Sequence, residues 1–192
     1  MMNIRPLQLA VLAILDNWEH YEWSVQGFGL LRFYIRRLGR LHIWDSALRY
    51  PNVSTIHNHS WDLRSTVVSG KLCNTRYVET QFGIPFRKQR VVTGYNSTIV
   101  STPESVSLLP MPREIYQPGE IYAQTAHVVH LTEPVDGTIT LMERHEDING
   151  EAEVYWPIGA AFGTAKPRPA TNSEARSAVL QAARILEQNV ND

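Results

Sequence analysis

The alternation of apolar and polar positions divides the chain into three stretches. From about residue 5 to 20, apolar residues recur at helical spacing through Leu7, Val11 and Leu15. The middle is persistently strand-like. Runs rich in β-branched and aromatic residues span 30–35, 40–44, 54–59, 63–68, 72–79, 89–92, 98–101, 106–109, 120–123, 127–131, 138–142 and 152–156. Turn signals at Pro51-Asn52, Ser69-Gly70, Thr93-Gly94-Tyr95-Asn96, Gln117-Pro118-Gly119 and Val135-Asp136-Gly137 separate them. Short strands at this spacing predict an all-β barrel or sandwich. After a small, Pro-containing loop from Gly159 to Thr171, Ala175, Val179, Ala182, Ala183, Leu186 and Val190 mark an amphipathic helix over about 173–189, with Ser173 as its expected N-cap. The expected organisation is an extension over 1–39, a barrel over 40–156, and a loop and helix over 157–192.

Composition narrows the function classes. Eighteen basic and nineteen acidic residues leave a net charge of -1 on 192 residues, so there is no broad positive field to capture nucleic acid. Arg32, Arg36, Arg37 and Arg40 cluster locally and read as a solvated helix face. The single cysteine, Cys73, excludes an internal disulfide and a multi-cysteine zinc site, and reads as a small buried hydrophobe. The apolar run Leu7 to Leu15 is too short to span a bilayer and lacks a following cleavage site, which argues for a packed helix. A cytoplasmic location fits these features, with no membrane partner and with a homodimer as one option.

The most informative segment is Ile56-His57-Asn58-His59-Ser60-Trp61-Asp62. Residues i and i+2 of a strand leave the same face, so His57 and His59 can converge on one point as two neutral nitrogen donors. A third candidate, His127, lies in the strand-like run Ala126-His127-Val128-Val129-His130-Leu131, and strict alternation turns His130 away from it, towards the surface or an outer layer of the site. Three histidines on two strands would make an open metal site.

The spacing of His57-x-His59 and Gly70 resembles the first motif of the cupin superfamily, and Pro118-Gly119 to His127 resembles a degenerate second motif, whose histidine is the distal ligand. His-Asn-His-Ser-Trp-Asp-Leu is similar to the HxHxWD signature of small cupin-like proteins. The resemblance covers roughly residues 40 to 145. It implies a double-stranded β-helix, a jelly-roll-like barrel with the metal inside its mouth, bound by His57, His59 and His127.

The departure from that pattern matters as much as the match. With Gly70 fixing the register, the family's glutamate position falls on Leu63, or on Arg64 with the alternative spacing, and neither binds a cation. Asp62 is the nearest carboxylate, but alternation points it to the opposite face, so it reaches the site only through a bulge. A three-histidine set without carboxylate resembles that of thiol dioxygenases. It leaves a divalent ion its full charge and favours anionic substrates; Fe(II) is the expected ion, and Zn, Ni or Cu also accept three imidazoles.

Other chemistries fit less well. His145-Glu146-Asp147 supplies an HxD pair, but no histidine follows it, as a 2-oxoglutarate oxygenase would require; a GxSxG elbow and phosphate-binding glycine loops are absent. Trp61, Tyr77, Tyr95, Tyr116 and Tyr122 offer aromatic walls, and Arg64, Arg76 or Arg90 offers a clamp for a carboxylate or phosphate. Among these, Tyr122 and Arg64 are the expected catalytic residues, Tyr122 to position substrate or donate a proton. The expectation is a mononuclear non-haem iron dioxygenase or related oxidoreductase acting on a small polar molecule. The alternatives are a non-catalytic cupin holding a ligand or partner in the barrel mouth, and a metal-dependent isomerase or lyase.

Overall fold

A computed structural model describes residues 3–35, 39–92, 98–147, 150–160, 163 and 166–191, with side chains at all of these except 98, 145–147 and 191. Arg36, Arg37, the turn at Thr93-Gly94-Tyr95-Asn96 and the side chains of His145, Glu146 and Asp147 thus lie outside the described residues.

The chain opens with helix α1 (Arg5–Asp16) and strands β1 (Ser24–Gln26), β2 (Phe28–Ile35) and β3 (Gly39–Arg49). Then come β4 (Ile56–His57), β5 (Trp61–Ser69), the long β6 (Leu72–Val92), β7 (Thr98–Ile99), β8 (Glu104–Pro110) and β9 (Glu114–Tyr116). Next are β10 (Ile121–Gln124), β11 (Val129–Pro134), β12 (Ile139–Asp147), β13 (Glu151–Pro157) and β14 (Arg168–Pro169), before helix α2 (Asn172–Asn191). They build two antiparallel sheets packed as a sandwich: β10-β5-β12-β3-β2-β1-β14, and β11-β4-β13-β6-β7 with β8 and β9 on β6. The chain is mostly β with helices at its two ends, as its alternation predicts.

Two layers cover the first sheet, and this explains its near-continuous apolar runs. Leu31 and Phe33 of β2, Leu41 and Ile43 of β3 and Ile139 of β12 face outward, where α1 and α2 bury them with Val11, Leu15, Val179, Ala182 and Leu186. Their neighbours Leu30, Arg32, His42, Trp44, Thr140 and Met142 face inward, onto a cleft. Truncating a fully buried residue of the helical side, such as Leu31, costs about 2–5 kcal/mol.

Three local expectations are revised. The runs over 72–79 and 89–92 belong to one strand, β6, whose pairing with β8 shifts register between Glu79 and Ile84. Gly83 falls inside that irregularity, where a bulge absorbs it, and Pro85 pairs with Ser107 just beyond, so the strand continues. At α2 the cap is Thr171 and not Ser173: the Thr171 hydroxyl accepts the Glu174 N–H at 3.2 Å while the Glu174 carboxylate accepts the Thr171 N–H at 2.9 Å, a capping box. The two described members of the arginine cluster are not helical. Arg32 and Arg40 lie on β2 and β3, and both line the cleft.

Gly70, which sets the motif spacing, holds φ +79° in the β5–β6 turn, and a Cβ there would meet Thr138 Cα at 2.7 Å. Both the turn and the close approach require glycine. Among the described residues, no helix is long and apolar enough to cross a membrane.

Candidate metal centre and its cleft

Between the sheets lies a cleft of about 2160 Å³. On one wall three imidazoles converge: His57, His59 and His130 each offer a ring nitrogen, and these atoms all lie within 4.8 Å of one another. Ring centroids are 4.7 Å apart for His57–His130, 4.8 Å for His57–His59 and 5.2 Å for His59–His130.

The sequence argument for the HxH pair thus leads to a real cluster, but its third member is His130 and not His127. The strand begins at Val129; Ala126-His127 is a turn, and His127 itself has φ +63°. Parity counted through that turn fails, because a left-handed residue breaks the alternation. Register then decides the matter. His130 sits directly opposite His57 across the β11–β4 ladder, which puts the two side chains on one face. His127 is exposed, and its backbone does the local work: its N–H donates to the His59 carbonyl at 2.7 Å.

The Trp-Asp half of the motif acquires a structural meaning. Trp61 packs against the His59 ring with centroids 4.3 Å apart. The Asp62 carboxylate accepts the Ala126 N–H at 2.7 Å, so it ties down the 126–127 turn and lies outside the cluster. Asn58, between the two histidines, is buried and turned the other way; it accepts the Glu153 N–H at 2.6 Å and donates to the Glu153 carboxylate at 2.9 Å. The HxH segment is therefore pinned to β13 on one side and to the turn on the other.

Outer partners fix each ring. His57 Nδ1 lies 3.1 Å from the Thr55 carbonyl, an acceptor only, so Nδ1 carries the proton and Nε2 keeps its lone pair. Phe28 stacks on the same ring at 4.9 Å and 9°. His130 Nδ1 lies 2.7 Å from the Tyr122 hydroxyl and 3.1 Å from Asn74 Oδ1. Asn74 Nδ2 donates to Glu114 and the Tyr122 hydroxyl donates to Gln124 Oε1, so the consistent assignment again places the proton on Nδ1 and frees Nε2. That free Nε2 is 3.3 Å from His59 Nε2. Two donors at this separation, each about 2.1 Å from a shared ion, subtend roughly 105°, close to tetrahedral.

Electrostatics favour the unprotonated rings. Burial lowers the His57 pKa, with the bond to Thr55 partly opposing. Burial, then the neighbouring His57, His130 and Arg40, holds His59 well below the ordinary histidine range. His130 is likewise held well below it, by burial, His57 and Arg76. Metal ligation requires neutral imidazole, so the donor set suits a divalent ion. Burial pushes the Tyr122 phenol far up, which keeps its proton in place at neutral pH.

The other expected site residues scatter. Tyr122 is buried against His130 and lines the cleft. Arg64 is exposed on the outer face of β5, since Trp61, Leu63 and Ser65 take the inward positions. Arg76 is engaged with Glu114 at 3.4 Å and Arg90 with Glu151 at 3.0 Å. Tyr77 and Tyr116 do not line the cleft; Cys73 is buried and does. Leu63 lines it too, and no carboxylate joins the three histidines among the described residues.

The opposite wall carries groups that sequence reasoning missed. On the inner face of the first sheet, Arg32, His42 and Thr140 form one cross-strand row, and Tyr34, Arg40, Met142 and Ser65 the next. The guanidinium carbon of Arg40 lies 4.8 Å from the Tyr34 ring centre and 5.5 Å from that of Trp61; Arg144 lies 5.3 Å from Trp61. The signal was period-two parity from Arg32 to Tyr34 and from Arg40 to His42, read instead as a helical charge cluster. No protein-family model matches this chain, and no curated protein matches it.

Proposed function

We propose that this protein is a cupin-type mononuclear metalloprotein in which His57, His59 and His130 hold a divalent ion, and that it acts as a non-haem iron dioxygenase or related oxidoreductase on a small polar molecule. The observation that carries the reading is the convergence of three neutral imidazoles whose ligand atoms lie within 4.8 Å of one another, inside a cleft large enough for substrate. The HxH-to-Gly70 spacing supports the cupin comparison, as does the two-sheet antiparallel architecture.

Iron(II) in such a set would supply dioxygen activation with several open positions, and zinc, nickel or copper would supply Lewis-acid polarisation. The chain's own contribution is orientation. The Thr55 carbonyl and Phe28 set the His57 ring, Tyr122 and Asn74 set His130, and Trp61 backs His59. Tyr122 works as a positioning residue through His130. The inward side chains Leu63, Trp44 and Met142 contribute apolar lining to the cleft.

Elemental analysis of protein purified without chelator or nickel resin tests the metal reading, with about one ion per chain expected. Oxygen uptake by the iron-loaded protein against a panel of small carboxylates and thiols tests the reaction class. Failure to retain iron, zinc, nickel or copper after loading would overturn the metal site. Retained iron without oxygen uptake would remove the dioxygenase and leave the site.

A further inference from the structure

The wall facing the histidines poses an electrostatic problem. Arg32 is 8 % exposed, and its guanidinium donates to Gln26 Oε1 at 2.9 Å and, more weakly, to Ser24 Oγ at 3.4 Å, both neutral. Arg40 is half-buried and rests between the Tyr34 and Trp61 rings. Among the described residues, no carboxylate pairs with either. Burial together with Arg32 and Arg144 pushes the Arg40 pKa down to about 10 despite the opposing influence of Tyr34. Two guanidiniums drawn into a cleft without an anion leave strong hydrogen-bonding capacity and positive charge uncompensated. Beside them His42, 7 % exposed, lines the same cleft with its Nε2 unpartnered. Stacking on aromatic faces leaves a guanidinium's in-plane N–H groups available, the geometry that takes an oxyanion in paired hydrogen bonds.

The positions also give a scale. Arg40 lies 5.5 Å from the Trp61 ring centre and the His59 ring packs on the same indole with centroids 4.3 Å apart, so Arg40 and the histidine cluster share one aromatic neighbour. The Tyr34 ring, 4.8 Å from the Arg40 guanidinium, is 62 % exposed, so this part of the wall borders solvent.

We infer that Arg32 and Arg40 form an oxyanion-binding subsite at the mouth of the cleft, which holds the carboxylate or phosphate end of the substrate while its other end reaches His57, His59 and His130. This rests on the metal-site reading only for the second half of the statement; the subsite itself needs no metal.

Calorimetric titration of chelator-treated protein at low ionic strength, with inorganic phosphate and with succinate in separate runs, tests it. The wild type should bind at least one of the two saturably, and the preferred probe identifies the oxyanion as phosphoryl or carboxylate. Arg40→Gln and Arg32→Gln should each weaken binding about tenfold or more, as expected for loss of charge-assisted paired bonds. Arg64→Gln, which removes an equal charge from the outer face, should leave it unchanged. His57→Ala should lose metal and keep anion binding, so a failed metal site and a failed subsite give different results. No saturable binding of either probe by the wild type, undiminished binding in both cleft variants, or an equal loss in Arg64→Gln would each overturn the inference. Should Arg40→Gln not fold, as judged by circular dichroism, Arg40→Lys keeps the charge without the paired donors. It should still bind about threefold more weakly or worse, and unchanged affinity would count against the subsite.

Discussion

The two walls of the cleft treat their nitrogen-bearing side chains in opposite ways. On the histidine wall each outer ring is held by a partner: His57 by the Thr55 carbonyl, His130 by Tyr122 and Asn74. On the arginine wall the charged groups rest on aromatic faces and neutral oxygens, and His42 keeps an unpartnered Nε2. The first wall spends its hydrogen bonds on orienting lone pairs towards one point, which is what a cation requires. Among the described residues, the second leaves the Arg32 and Arg40 guanidiniums without a carboxylate partner, which is the arrangement the proposed anion subsite needs. On the two proposals together, the cleft would orient a molecule that carries one anionic and one electron-donating end.

Substitutions can separate the walls, and the largest effect belongs to the ligands. His59→Ala or His130→Ala should reduce metal affinity by more than about 100-fold, beyond the range for losing an outer partner. Elemental analysis after dialysis reads it, and full occupancy in either variant would mean that the histidine wall does not bind metal. Next comes the layer behind. Tyr122→Phe removes the hydroxyl that meets His130 Nδ1, and Asn74→Ala its second acceptor; each should cost about 10-fold to 100-fold in metal affinity while leaving the fold intact. Competition with a chelator measures this, and Tyr122→Phe at wild-type affinity would show that the ring is held by packing alone.

A smaller effect should follow acidification of the metal-free protein. His42 and His130 are held well below their ordinary range, chiefly by burial, so the unfolded chain binds protons near pH 6.5 that the folded chain refuses. Stability is therefore fully present above about pH 6.5 and falls as the pH drops below it, by roughly 1.4 kcal/mol per pH unit for each such histidine. Urea denaturation at pH 7.5, 6.0 and 5.0 reads the slope. Stability that is flat or rising towards pH 5.0 would show that these rings do accept protons within the fold. Smallest of all is His127→Asn. The left-handed backbone at 127 suits asparagine, and only the residue's main chain touches the site, so metal content and thermal stability should both stay near wild type. Loss of metal in this variant would restore His127 to the ligand set.

How far the sequence discloses this molecule depends on how far alternation runs unbroken. His57 and His59 are legible because nothing interrupts the two residues between them, and Gly70 because its φ of +79° admits little else. The third histidine is not. A left-handed turn at 127 resets the parity, and only the pairing of His130 with His57, made between strands far apart in sequence, restores it. Arg32 and Arg40 mislead for a related reason. Four arginines in nine residues suggest a helix surface, and two of them lie inside because β2 and β3 are covered on both faces. Strands β1, β9 and β14 are too short to carry a period, and they owe their existence to neighbours.

Strand β6 has a consequence for how the chain reaches this structure. Its residues Leu72–Val92 pair with β7, β8, β9, β11 and β13, partners drawn from Thr98 through Pro157. Hardly any of its ladder is local, so loop closure must precede most of its pairing, and refolding belongs on the slow timescale of milliseconds to seconds expected of such topologies. During synthesis β7, β8 and β9 follow β6 directly, but the edge that β11 and β13 cover stays open until they emerge. Phe82, 89 % exposed even in the finished fold, lies in the middle of that strand. A segment open to self-association thus lies one strand away from His130, and conditions that slow the arrival of β13 should lower the yield of folded protein before they touch its chemistry.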